Sequence, residues 1–180
     1  MTESFSDGDG HKIPHAWNLV KCDGDYYYVD VTWGDPIFQE SEEEAENVMD
    51  GEIRDNISYD YMLCDDDELF RTHTPDLEAE LPDCTKMDLN YYVVNGMYYT
   101  EYDGQMALKA MNQVISVRET KVVLKYSDES VYKTAKEDIL NNEVKRAAQN
   151  LAQWYHLSEV SYSYIDDKKM NKITIFWKYS

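Results

Sequence analysis

The 180-residue chain has no apolar run approaching the ~20 residues that a membrane-spanning helix needs. Its first ten residues, Met1 to Gly10, hold neither a basic cluster nor an apolar stretch, so they do not read as a signal peptide. No targeting signal is legible, and the compartment is left open. Cysteine is scarce: three residues, an odd number, argue against a disulfide-stapled scaffold. No two of them stand at metal-ligand spacing, and no CxxC occurs, so no metal site and no cofactor is expected from them. Basic residues are also few, 17 Lys and Arg against 36 Asp and Glu, for a formal net charge of −19. Phosphate recognition needs clustered Lys and Arg, so nucleic acid and anionic membrane are disfavoured as partners. Internal repeats are absent.

What is present suffices for a packed core, since 43 % of residues are hydrophobic. The charge is unevenly placed. Residues 1–84 carry 24 acids and 4 bases, net −20, and residues 85–180 carry 12 acids and 13 bases, net +1. Tyrosine shifts at the same place, with 5 before residue 85 and 11 after it. A boundary is therefore expected near Leu81-Pro82-Asp83-Cys84, where a proline interrupts a polar stretch.

Local patterns predict an α+β chain. Residues 1–12 read as a loop or frayed end. Ala16 to Val20 and Tyr26 to Val31 read as two strands joined at Asp23-Gly24. Residues 39–56 read as an acidic solvated loop, Ser58 to Leu63 as a strand, and Asp65 to Phe70 as a short helix with acids at its start. In the second half, Tyr91 to Val94, Asn95-Gly96 and Met97 to Tyr102 predict a hairpin. Asp103 is expected to cap a helix with the stripe Ala107, Ala110, Met111 and Val114. Lys121 to Tyr126 reads as a strand. Val144, Ala147, Ala148, Leu151, Trp154 and Tyr155 mark one helix face. Val160 to Ile165 and Lys172 to Tyr179 read as the last two strands.

The hairpin signal places His15 and Asp30 side by side at its open end. An acid beside a histidine orients the imidazole and stabilises the imidazolium, as in the base-plus-orienter half of a catalytic triad. A cross-strand His–Asp pair without chemistry gives the same pattern.

The wording of the segment favours the functional reading. His15-Ala16-Trp17-Asn18-Leu19-Val20, a glycine turn, then Val29-Asp30-Val31-Thr32-Trp33-Gly34-Asp35-Pro36 resembles the transglutaminase-like superfamily, with its papain-like fold. Tyr59 to Leu63, the acidic helix start and Arg71-Thr72-His73 look like the segment that follows in bacterial members. The resemblance covers roughly residues 8–84. It implies that 1–84 is the β-rich C-terminal part of such a domain and 85–180 a small α+β accessory domain with antiparallel hairpins and two to three helices. It also implies that His15 is the catalytic histidine and Asp30 its orienting aspartate. Trp17, Asn18, Thr32 and Trp33 match flanking, site-supporting positions. The chemistry implied is acyl transfer or hydrolysis at a Gln amide or peptide bond of a protein or peptide substrate.

One departure is large. The family nucleophile is a cysteine well upstream of the histidine, and only 14 residues, none of them Cys, precede His15. Cys22 lies seven residues away, ~23 Å along a strand and on the opposite face. Cys64 and Cys84 stand beside aspartates, which disfavour a thiolate. The nucleophile segment is thus expected to be missing and the chain inactive alone. The core it would cover is expected to be buried by a homo-oligomer contact, by that segment or by the accessory domain. The alternative is a non-catalytic interaction module that keeps the scaffold.

Other features have plainer readings. Ser6-Asp7-Gly8-Asp9-Gly10 is only a fragment of a calcium loop, without the later ligands. His73 and His156 read as residues at helix C-termini, where a cation is favoured. The alternating tyrosines of the second half read as sheet packing, with a sugar- or peptide-binding face as the alternative.

Overall fold

The computed structural model describes residues 3–6, 12–34, 57–75 and 80–179. They form two compact units, Met1–Asn95 and Gly96–Ser180, both mixed α+β. The composition shift at residue 84 marks a change of charge. The first compact unit runs on to Asn95, because residues 85–95 return to pack within it. The acidic stretch 39–56 and the candidate calcium fragment at residues 7–10 lie outside the described residues.

In the first unit, β1 (Glu3–Ser6) pairs antiparallel with β2 (Lys12–His15), Glu3 opposite His15. This corrects the expectation of a loop at residues 3–6. A second sheet has the order β3 (Asn18–Cys22), β4 (Asp25–Val29), β5 (Met62–Cys64). Asp23 and Gly24 take positive φ at the turn, as an Asp-Gly hairpin turn requires. The register sets Asn18 opposite Val29 and Cys22 opposite Asp25. Tyr27 and Tyr28 of β4 are both fully buried, so this strand is covered on its two faces. A register shift falls between Tyr28 and Val29, where β5 pairs.

Helix α1 (Asp66–Leu69) is capped by the Asp65 carboxylate, which accepts from the Glu68 N–H at 2.8 Å, with Asp66, Asp67 and Glu68 in its first turn. Its backbone is tied to a later segment of the unit: the Asp66 N–H donates to the Cys84 carbonyl at 2.8 Å.

Residues Tyr91–Val94 form a helical turn, α2, rather than the expected strand. Asn90 explains the difference. Its side-chain oxygen caps the turn by accepting from the Tyr92 N–H at 3.0 Å, while its amide nitrogen donates to the carbonyls of Met62 (2.9 Å), Tyr59 (3.3 Å) and Asp60 (3.3 Å). Asn95-Gly96 then stops the helix, with Asn95 as C-cap and Gly96 at φ 68°. An Asn-Gly pair serves a helix end as well as a hairpin.

The second unit carries a sheet of order β6 (Tyr98–Tyr99), β7 (Lys121–Tyr126), β9 (Lys172–Lys178), β8 (Ser161–Asp167). β6 runs parallel to β7, so α3 (Gly104–Ser116) is a crossover helix, and β8 and β9 form an antiparallel hairpin. Asp103 caps α3 by accepting from the Gln105 N–H at 2.7 Å. Helices α4 (Glu129–Asp138) and α5 (Val144–Tyr155) are joined without a break by a π-helical turn, Ile139–Glu143. Met111 and Ile115 of α3, Val144, Ala147 and Leu151 of α5, and Leu124, Ile173 and Ile175 of the sheet form the core. The expected α5 face is buried at Val144, Ala147 and Leu151, whereas Trp154 is 46 % exposed.

Asn90 joins three carbonyls and one N–H while wholly buried. Replacing it by alanine orphans these groups and removes the cap, at a cost of about 2–3 kcal/mol. Asn90→Asp keeps the cap acceptor and loses the donors, so it should fall between wild type and Asn90→Ala. Urea unfolding of the three proteins, followed by circular dichroism, checks the order.

Candidate active site

The site is assembled around one carboxylate. Asp30 follows the last residue of β4 and is held by its own backbone, whose N–H donates to the Tyr61 carbonyl at 3.0 Å. Its side chain is taken almost wholly out of water, at 3 % exposure. Oδ1 accepts from the backbone N–H groups of Thr32 (2.9 Å) and Trp33 (3.1 Å), so the turn after β4 closes onto the acid that begins it. Oδ2 faces two imidazoles: Nε2 of His15 forms a short contact with it, and Nε2 of His73 lies at 3.1 Å. Burial alone would raise the Asp30 pKa. The hydrogen bonds from His73 and His15 and from the Trp33 N–H outweigh it and hold the group below the ordinary carboxylate range.

His15 ends β2 and His73 follows α1, so the two rings come from segments far apart in sequence. Their centroids are 5.5 Å apart. His73 is buried, its Nδ1 3.2 Å from the Leu69 carbonyl and 2.8 Å from the Thr72 hydroxyl, which in turn meets the Tyr61 hydroxyl at 2.8 Å. Aromatic edges wall it in: the rings of Trp17, Tyr61 and Trp33 stand 5.0, 5.0 and 5.4 Å from it. The Trp17 indole N–H is itself buried without a hydrogen-bond partner among the described residues.

The residues singled out in the sequence divide into three groups. His15 and Asp30 meet directly, as the hairpin geometry predicts. Thr32 and Trp33 act on Asp30 through their backbone N–H groups, and Trp17 and Trp33 also line the histidines. Asn18 does not reach the cluster: its side chain is directed to the Val29 carbonyl at 3.5 Å. His73 was read as a helix-end residue, and the structure instead places it on Asp30. The available signal was its place in Arg71-Thr72-His73, one of the blocks that carry the family resemblance.

None of the cysteines joins the cluster. Cys22 sits at the turn end of the β3–β4 hairpin, opposite Asp25 and away from the end where Asp30 lies. Cys64 is fully buried, with its thiol 3.8 Å from the Tyr28 carbonyl. Cys84 is buried, with its thiol 3.8 Å from the Pro82 carbonyl. Burial and the carboxylates of Asp66, Asp65 and Asp83 push its pKa up to about 11. No helix among the described residues is long and apolar enough to cross a membrane. A comparison with protein-family models finds no match, and neither does a comparison with curated proteins.

Two outcomes follow. The Asp30 pKa is lower in the folded chain than its unfolded value of about 3.9. Its stabilisation is therefore complete above that value and is lost as the pH falls through the folded pKa. Asp30→Asn keeps an oxygen for Thr32 and Trp33 but has no charge to lose. The stability gap between wild type and Asp30→Asn, read from urea midpoints, should narrow between pH 5 and 3; a constant gap would contradict the assignment. Second, iodoacetamide at neutral pH should label half-exposed Cys22 in the native chain and reach Cys64 and Cys84 only after unfolding, as read by mass spectrometry.

Proposed function

We propose that the first unit is the His/Asp half of a transglutaminase-like, papain-like centre for cysteine-dependent acyl transfer or hydrolysis at a Gln amide or peptide bond. The observation that carries this reading is the His15 ring held through Nε2 on a buried carboxylate that is itself fixed by two backbone N–H groups. That arrangement assigns the Nε2 proton to the aspartate side and leaves Nδ1 as the ring atom that takes and returns a proton. His15 would be the general base and acid, and Asp30 its orienting group. Thr32 and Trp33 would keep Asp30 in place, and Trp17 and Trp33 would keep water from the rings. A thiolate would attack the substrate carbonyl, and His15 would deliver the proton to the leaving amine.

The thiolate has no source among Cys22, Cys64 and Cys84, for the reasons of burial and position given above. This favours a second reading for the chain by itself, an interaction module that retains the scaffold without turnover. Substrate class is inferred only from the resemblance, and a protein or peptide is the partner it implies.

Incubation of the chain with an amine donor and a glutamine peptide tests the role of His15. The expected result is no amine incorporation by this chain alone. In a reading frame that supplies a cysteine segment upstream, the expected result is incorporation that His15→Ala lowers by about 10²–10⁴-fold. Turnover that survives His15→Ala would refute the assignment.

A further inference from the structure

The chemistry of the cluster exceeds what a base-orienting pair requires. A dyad needs one imidazole on one carboxylate, and here two imidazoles converge on the same oxygen, Asp30 Oδ2. The ligand atoms of His15, Asp30 and His73 all lie within 4.8 Å of one another.

The outer contacts are those that prepare metal ligands. A metal-bound histidine donates its other ring N–H to a carbonyl or carboxylate, which fixes the tautomer and turns a lone pair toward the ion. His73 Nδ1 lies 2.8 Å from the Thr72 hydroxyl, which can donate or accept, and 3.2 Å from the Leu69 carbonyl, which can only accept. Without a cation, Nε2–H of His73 donates to Asp30; with the proton on Nδ1, where the Leu69 carbonyl accepts it, Nε2 turns a lone pair toward the carboxylate oxygen 3.1 Å away. In that second tautomer the two buried electron-rich atoms accommodate a positive centre between them. The carboxylate is fixed in the same manner, since Oδ1 is occupied by the Thr32 and Trp33 N–H groups and Oδ2 is left to face the histidines.

The geometry points to a binding site for a single divalent transition cation of the zinc class, held by Nε2 of His15, Nε2 of His73 and Oδ2 of Asp30. Two imidazoles and one carboxylate suit borderline ions of this kind; calcium and magnesium prefer all-oxygen shells. Three protein ligands leave a further position for solvent or a ligand. Access is from the His15 side, where the side chain is 16 % exposed against 3 % for His73 and 1 % for Asp30. The inference stands on the geometry and does not rest on the acyl-transfer reading. A cation here takes both Nε2 lone pairs, so the loaded cluster is a metal site and the free cluster a proton-transfer site.

The test is a titration of the full chain with Co²⁺ in excess Mg²⁺, so that exposed carboxylates are already occupied. The expected result is visible ligand-field absorption that saturates at one equivalent and is displaced by Zn²⁺. His15→Gln and His73→Gln should each weaken the affinity at least about tenfold, with the far-ultraviolet circular dichroism unchanged. His73 is buried and its variant can fail to fold; partly exposed His15 keeps the test decisive in that case. Absence of the absorption in wild type, or unchanged affinity in either folded variant, would overturn the proposal. The absorption reports ligation and not turnover, so its loss and a failure of amine incorporation are separate results.

Discussion

A carboxylate held at 3 % exposure is the constraint on which the first unit depends. An ionised acid out of water is tolerated only when its oxygens are matched by donors or cations. Asp30 meets that condition with four partners drawn from three segments: the end of β2, the turn after β4 and the residues after α1. Remove the acid and those segments lose their common point. The cluster is therefore both a candidate site and a tie across the unit. The aromatic walls belong to the same arrangement, because Trp17, Trp33 and Tyr61 lower the local dielectric and so strengthen each of the four contacts.

The elements that the sequence foretold are those whose signal is local. The Asp-Gly turn sets the register of β3 and β4, with Asn18 opposite Val29, which brings the residues before β3 to the end where Asp30 lies. Asp103 caps α3 as expected, and Asp65, read as one of the acids that start α1, caps that helix as a side-chain acceptor. The long apolar face of α5 reads directly, except at Trp154, which lies at the edge of the stripe. Prediction failed where a residue is governed by something distant. Asn90 turns Tyr91–Val94 helical because three carbonyls from residues 59–62 need its amide, and no window around residue 90 contains them. His73 does stand just after α1, as its place in the sequence suggests, but its carboxylate partner lies 43 residues earlier and outside any local window. The pairing of β6 with β7 was hidden because a two-residue strand carries no alternation to read.

The cysteines show how a family pattern and local physics separate. The His and Asp blocks resemble those of a cysteine-dependent centre, the basis of the proposed function, yet each thiol is placed where a thiolate is disfavoured or remote. Cys84 illustrates the cause: it is buried, and Asp65 and Asp66 are drawn to it by the N-terminal turn of α1, where the helix favours acids. The electrostatics that stabilise α1 thus help hold the Cys84 thiol protonated.

The same reasoning bears on the acidic excess of residues 1–84. A negative field makes every thiolate in its reach more costly and every cation less so. An imidazolium beside a nucleophile offsets the first effect, and the His15–Asp30 pair can supply one only while Nε2 remains on the carboxylate. A second imidazole on that oxygen weakens the claim of the first, since two donors then share one acceptor. Either His73 serves to position Asp30 for His15, or the two histidines act as equals toward a shared positive centre. In the first case Nε2–H of His73 donates to Asp30, and the Thr72 hydroxyl can donate to the bare Nδ1. In the second the proton sits on Nδ1, where the Leu69 carbonyl accepts it, and the Nε2 lone pair turns inward toward the cation that the cluster would hold.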